Sequence, residues 1–287
     1  MMSAENSAIS GVGLGLRRPM AEALSGAIPG AINFMEVAPE NWMGIGGKLA
    51  QTLEHVAAEV PLICHGLSLN LGGYHPLDRD FLLQLRTFLD RFQVPIYSEH
   101  LSYCGDHGHL YDLMPVPFTA EAVEQLVARI HQVEDILERP LVLENISYYA
   151  APGREMSEAE FVSAVLEESG CGLLLDINNI YVNSINHGYS ASDYLQAMPA
   201  DRIRYLHVAG HYQEAPDLLI DTHGADIEDP VWALLTEAYH QFGVIPTLLE
   251  RDFNLPPMEL LLKEVEQIHH HQQDANNHAK SKHNHAA

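Results

Sequence analysis

Lysine is scarce in this sequence: only Lys48, Lys263, Lys280 and Lys282 occur among 287 residues. None stands at the end of an apolar run, which argues against Schiff-base chemistry. Cysteine is scarce as well. Cys64, Cys104 and Cys171 form no CxxC pair, so neither a disulfide framework nor a cysteine-rich zinc site is expected. No apolar run approaches the ~18 residues that a membrane-spanning helix needs. The first ten residues carry no basic segment followed by an apolar one, so a secretory signal is not indicated and a cytoplasmic location is expected. Basic charge is outnumbered, 15 Lys and Arg against 39 Asp and Glu, and the net charge of -24 repels nucleic acid and anionic membranes.

What the chain does have is a succession of short apolar runs, β-branched and about the length of buried parallel strands, alternating with longer amphipathic segments. Eight strands are predicted over 11–15, 33–38, 61–66, 95–101, 140–146, 172–177, 203–209 and 246–252. Helices are predicted over 47–59, 79–91, 119–137, 157–169, 190–198 and 229–242, the fourth opened by the capping-box pair Ser157 and Glu160. Eight β-then-α units in this length fit an α/β fold of the (β/α)8 TIM-barrel type better than an open sheet. The domain plan is a flexible N-terminus over 1–10, one barrel over 11–268, and a His-rich tail over 269–287. That tail has six histidines and almost nothing apolar, so disorder is expected there.

The strand ends carry the chemistry. The second run ends in Glu36, the third in His65, the fourth in Glu99 and His100. The fifth ends in Glu144 and Asn145, and the sixth in Asp176 with Asn178 and Asn179. The seventh ends in His207, with His211 shortly after, and the eighth in Glu250. A barrel gathers such ends around one mouth. Buried carboxylates without cationic partners cost several kcal/mol each, roughly, and hardly any Lys or Arg is seen at these ends. Arg251 is the exception, and strand alternation turns it away from Glu250. Metal ions are the simplest counter-charge. Imidazole plus carboxylate without thiolate suits iron, manganese or zinc, and the ligand candidates exceed what one ion needs. Asp221 and His223 add to them, since i and i+2 share a face of an extended segment. Gly11, Gly13 and Gly15 suggest a dinucleotide loop, but Leu16 stands where the last glycine is required. They are read as a tight first strand.

The segments GVGLGLR, EVAPENW, CHGLSLNLGG, YSEHLSY, LENISYY, LLLDINNIYVNSINHG, YLHVAGH, DTHG and LLERD resemble the multinuclear non-haem iron-dependent oxidases, also called domain of unknown function 692. The resemblance spans about 8–268. It implies a xylose-isomerase-like barrel holding two or three irons of mixed ferrous and ferric valence, with O2 as co-substrate. It assigns His65, His100 and Glu144 to one iron, with Glu144 placed to bridge. Asp176, His207 and Glu250 fall to a second iron, and Asp221 and His223 to a third. Asn179 is a further ligand position, where some relatives carry His. Glu36, Asn41, Asn145 and His211 are assigned to substrate binding. The implied substrate is a cysteine-containing, ribosomally made precursor peptide, recognised with a separate leader-binding partner protein. A metal-dependent hydrolase or sugar-type isomerase on the same barrel, and a non-catalytic metal-handling protein, are the competing readings.

Overall fold

The computed structural model describes residues 9–105 and 108–286. In chain order the strands are β1 (Val12–Gly15), β2 (Phe34–Val37), β3 (Leu62–His65), β4 (Tyr97–His100), β5 (Ser102–Gly105), β6 (His109–Pro115) and β7 (Val142–Glu144). They continue with β8 (Gly172–Asp176), β9 (Ile203–Val208), β10 (Tyr212–Ala215), β11 (Leu218–Ile220) and β12 (Thr247–Leu249). The helices are α1 (Gly47–Glu59), α2 (Arg79–Arg91), α3 (Ala120–Leu137), α4 (Glu158–Ser169), α5 (Ile177–His187), α6 (Ala191–Ala197), α7 (Asp229–Phe242) and α8 (Met258–Ala286). Strands β1, β2, β3, β4, β7, β8, β9 and β12 close into a parallel barrel, with β1 pairing both β2 and β12. Each predicted strand lies where the sequence indicated, trimmed by up to three residues at an end. This is the (β/α)8 fold.

Two cores follow from strand alternation. One set of side chains faces the helices and forms the large outer core. The other faces inward: Phe34, Ile63, Ile96, Val142, Leu174, Tyr205 and Leu248 fill the barrel and pack with Ile9. Two residues further along each of these strands stand Glu36, His65, Ser98, Glu144, Asp176, His207 and Glu250. A period of 2 therefore lays a polar storey directly on an apolar one. On β1 the interior positions are glycines; a Cβ on Gly13 would come within 2.3 Å of the Phe34 ring. The same alternation then carries β1 through Gly15 to Arg17.

Several features depart from the sequence reading. β5 with β6, and β10 with β11, form two antiparallel hairpins inserted after β4 and β9. Helix α5 starts directly after β8, capped by Asp176, whose Oδ1 accepts from the Asn179 N–H at 2.6 Å. Its asparagines disguise it, because Asn favours turns in isolation; here Asn183 is buried and bonds the Tyr148 N–H and the Ile146 carbonyl. The expected disorder from 269 onward is corrected by α8, which runs through that segment. Ile268, Gln272 and Ala275 are buried, His271 stacks on Trp232 at 5.1 Å, and Gln272 donates to the Gly11 carbonyl. Sparse apolar residues suffice because they recur on one helical face. Of the expected flexible N-terminus, residues 1–8 lie outside the described residues, and Ile9 is buried. Among the described residues, no helix is long and apolar enough to cross a membrane.

Candidate metal centre

The polar storey resolves into three adjoining groups of ligand atoms, each within 4.8 Å of one another: His65, His100 and Glu144; Glu144, Asp176, His207 and Glu250; and His223, Glu250 and Asp252. Glu144 belongs to the first two groups and Glu250 to the last two. In the first, Glu144 Oε2 lies 3.0 Å from His65 Nε2 and 3.2 Å from His100 Nε2, and the two imidazole nitrogens are 3.1 Å apart. Ligands held about 2.1 Å from one ion at a right angle stand about 3 Å apart, so this triangle has the dimensions of one face of a coordination shell. In the second, His207 Nδ1 lies 3.0 Å from Glu250 Oε2, 3.9 Å from Asp176 Oδ2 and 4.0 Å from Glu144 Oε1.

Apart from the His65–His100 contact, these approaches are close without being hydrogen bonds. Glu144 Oε2, Asp176 Oδ2, His207 Nδ1, His223 Nε2 and Glu250 Oε2 are all buried and make none. Leaving buried polar atoms unpaired is costly, and their convergence on shared points is what cation ligands require. Outside the groups, the same side chains are anchored. His207 Nε2 lies 3.1 Å from Glu36 Oε2, which also accepts from Tyr205 at 2.8 Å. The carboxylate takes the ring's Nε2 proton and leaves the Nδ1 lone pair facing inward, the usual support of a metal-binding histidine. The residues fit divalent iron, manganese or zinc.

The electrostatics agree. Burial alone would lower the His65 pKa, but the charge of Glu144 overrides it and pushes it up to about 9. Burial and the neighbouring His65 push His100 down to about 4. Burial and the negative charge of Glu144 hold Asp176 well above the usual carboxylate range. Burial opposes ionisation of Glu250 too, yet His223 and His207 hold it well below that range. Opposed shifts of this kind are concentrated at functional sites.

The third group differs from the sequence expectation. Residues 221–223 are not an extended segment: His223 has φ +50°, in the left-handed region, and its ring lies among three carboxylates. Its Nε2 is 2.7 Å from Asp221 Oδ1, and its Nδ1 is 3.2 Å from Asp252 Oδ2 and 3.4 Å from Glu250 Oε2. Asp221 is anchored by Ser147 at 2.9 Å and Asn178 at 2.8 Å. Asp252 was missed by the sequence reading, and so was Arg17. The Arg17 guanidinium bonds Asp252 and reaches Glu250 Oε1 at 3.3 Å, so a cation does stand at one strand end. Alternation from Gly13 and Gly15 was the signal that could have found it. Arg251 turns outward to Asp226 and Glu264, as alternation requires.

The assigned substrate residues fare unevenly. Glu36 is only 1% exposed and orients His207 from below, so a substrate does not reach it. Asn145 uses both amide atoms on the Asp176 backbone, at 2.9 and 3.0 Å, and so positions that carboxylate. Asn41 is exposed and its carbonyl is taken by Arg18; no contact joins it to the three groups among the described residues. His211 bonds Asn178 through Nδ1 at 2.8 Å, and its buried Nε2, without a hydrogen bond, lies 3.7 Å from Glu228 Oε2. Asn179 donates to Glu144 Oε1 at 3.3 Å and leaves its Oδ1 buried and unpaired. Cys104, just past His100, is buried, and burial with Glu99 pushes its thiol up to about 11, which disfavours the thiolate.

A UPF0276 protein of Shewanella loihica is 60% identical over 264 residues, covering 92% of this chain and 95% of the relative. A UPF0276 protein of Pseudomonas aeruginosa is 53% identical over 260 residues, covering 91% and 92%. Among solved structures, a xylose isomerase domain protein from Planctomyces limnophilus superposes with a TM-score of 0.60 at 14% identity, covering 93% of this chain and 98% of that one. Endonuclease IV from Thermus thermophilus gives 0.58 at 14% identity, covering 90% and 98%. At such identities the likeness is one of fold alone. The model of the family described as RiPP precursor modification enzyme MbnB/TglH/ChrH matches residues 11–273, and the chain belongs to that family.

Proposed function

We propose that this protein is a multinuclear non-haem iron oxidase that uses O2 to modify cysteine residues of a ribosomally synthesised precursor peptide, presented with a separate leader-binding protein. The observation that carries the reading is the sharing of carboxylates: Glu144 faces His65 and His100 through one oxygen and the His207 group through the other. A carboxylate so placed suits adjacent ions at bridging distance. His65, His100 and Glu144 would hold the first ion, Glu144, Asp176, His207 and Glu250 the second, and His223 with Glu250 and Asp252 or Asp221 a third. Bound iron would supply thiolate affinity and the electrons for O2 chemistry.

The chain's own residues do the remaining work. They fix the ligand directions, keep the floor of the site dry with Phe34, Ile63 and Leu248, and frame the mouth with apolar side chains. Leu67, Tyr149, Tyr212 and Phe253, all in segments that follow barrel strands, are exposed and give an unfolded peptide apolar contacts at the rim. The xylose isomerase domain protein of similar fold lends no support to sugar chemistry here, since its likeness is one of architecture. The test is to incubate iron-loaded protein with a cysteine-containing precursor peptide and its leader-binding partner under O2. A mass change confined to cysteine, absent under argon, is expected. An unchanged peptide under O2 sinks the proposal.

A further inference from the structure

Beneath the ligand groups, two of the imidazoles are tied together by residues that belong to no group. Ser98 precedes His100 by two residues on β4, and Tyr205 precedes His207 by two on β9, so both project into the barrel. His65 Nδ1 is 2.7 Å from Ser98 Oγ, Ser98 Oγ is 2.7 Å from the Tyr205 hydroxyl, and that hydroxyl is 2.8 Å from Glu36 Oε2. Glu36 Oε2 is in turn 3.1 Å from His207 Nε2. All five side chains are buried.

The direction of each bond follows from what each group can give. A carboxylate only accepts, so Tyr205 and His207 both donate to Glu36. With its one proton on Glu36, the Tyr205 oxygen must accept from Ser98. The other acceptor near Ser98, the Cys64 carbonyl, is at 3.4 Å and competes poorly with 2.7 Å. Ser98, its proton engaged, then accepts from the Nδ1–H of His65. Donors therefore run one way from His65 to Glu36, where they meet the donor from His207. The outcome is that His65 presents its Nε2 lone pair and His207 its Nδ1 lone pair, and these are the atoms that face Glu144 and Glu250.

We infer that Tyr205 is a positioning residue that sets the tautomer of His65 through Ser98, anchored on the same Glu36 carboxylate that sets the tautomer of His207. The inference rests on the reading that these groups hold metal ions, and not on the peptide chemistry. Phenylalanine at 205 keeps the ring and removes only the hydroxyl that joins Ser98 to Glu36. Its effect should then fall on the His65 side, as that of Ser98→Ala should, whereas Glu36→Gln should act on the His207 side.

The test uses the full chain loaded with zinc(II), a diamagnetic probe, with 15N-labelled histidine. Nitrogen shifts should show His65 protonated at Nδ1 and His207 at Nε2 in the wild type, and in Tyr205→Phe a mixed His65 tautomer beside an unchanged His207. Chelator competition should show one zinc ion held about 10- to 100-fold more weakly in Tyr205→Phe. In that background the Ser98→Ala effect should largely vanish. A wild-type His65 tautomer in Tyr205→Phe, or zinc held as tightly as in the wild type, would overturn the inference while leaving the metal centre intact. A wild-type chain that binds no zinc and no iron would instead overturn the metal-centre reading. Should Tyr205→Phe fail to fold, Ser98→Ala decides: an unchanged His65 tautomer there refutes the relay.

Discussion

Replacing Glu158 with glutamine removes a buried charge far from the ligand groups, and its consequence can be worked out from the structure. Glu158 opens α4 and is 5% exposed. Its carboxylate accepts from Tyr189 at 3.2 Å and from Asn183 at 3.3 Å. Burial pushes its pKa from 4.5 up to about 7, with the hydrogen bonds from these tyrosine and asparagine partners opposing the rise. Below pH 4.5 the group is neutral in both folded and unfolded chains and contributes nothing to pH dependence. Between that pH and about 7 the unfolded chain releases a proton that the folded chain keeps, so stability falls as pH rises. Above the folded pKa the full loss is reached, about 3 kcal/mol at 1.36 kcal/mol per pKa unit. Glutamine is neutral throughout and preserves an acceptor oxygen. Urea unfolding followed by circular dichroism at pH 5, 6, 7 and 8 should show the Glu158→Gln chain gaining on wild type by about 2.5 kcal/mol across that range. The metal centre titrates alike in both chains and drops out of the difference. A difference that does not change with pH, or that favours wild type at pH 8, refutes the assignment of a buried, reluctant carboxylate.

Further outcomes follow from the same geometry. Glu144→Gln should lose two ions from the loaded protein, because both of its oxygens face ligand groups, whereas His100→Ala should lose one; iron per chain distinguishes them. Arg17→Met removes the cation that Glu250 and Asp252 share, so the third group should bind an ion about 10-fold or more tightly, read by the last step of an anaerobic iron(II) titration. A weaker last step would mean that Arg17 supports that group rather than competing with the ion. Removing residues 277–287 should leave the thermal midpoint unchanged, while removal from 269 deletes the His271–Trp232 stack and the buried Ala275 and should lower it by several degrees. Equal midpoints for the two truncations would contradict the packing of α8.

The barrel was legible because its strands are short, apolar and buried on both faces, so they stand out against amphipathic helices. The ligand candidates were legible for the same reason: His65, Glu144 and Asp176 are polar residues closing apolar runs. What escaped were residues whose role depends on position across the barrel. Arg17 follows glycines that gave no apolar signal, although period 2 led to it. Tyr205 reads as core in sequence, and only the closed barrel puts its hydroxyl between Ser98 and Glu36. Asp252 lies two residues past Glu250 and joins the third group because the His223 backbone turns, which spacing cannot show. Helices α5 and α8 escaped because Asn and His residues dilute their apolar faces, while tertiary contacts supply what local propensity withholds.

Elemental analysis of the chain, purified without affinity-column metal and with residues 277–287 removed so that His278 and the histidines beyond it cannot scavenge ions, tests the metal centre most directly. Two to three irons per chain, with visible absorption that depends on Glu144, is the expected result. A single zinc or manganese, or nothing above background, would contradict a multinuclear iron site and return the barrel to hydrolytic or isomerising chemistry.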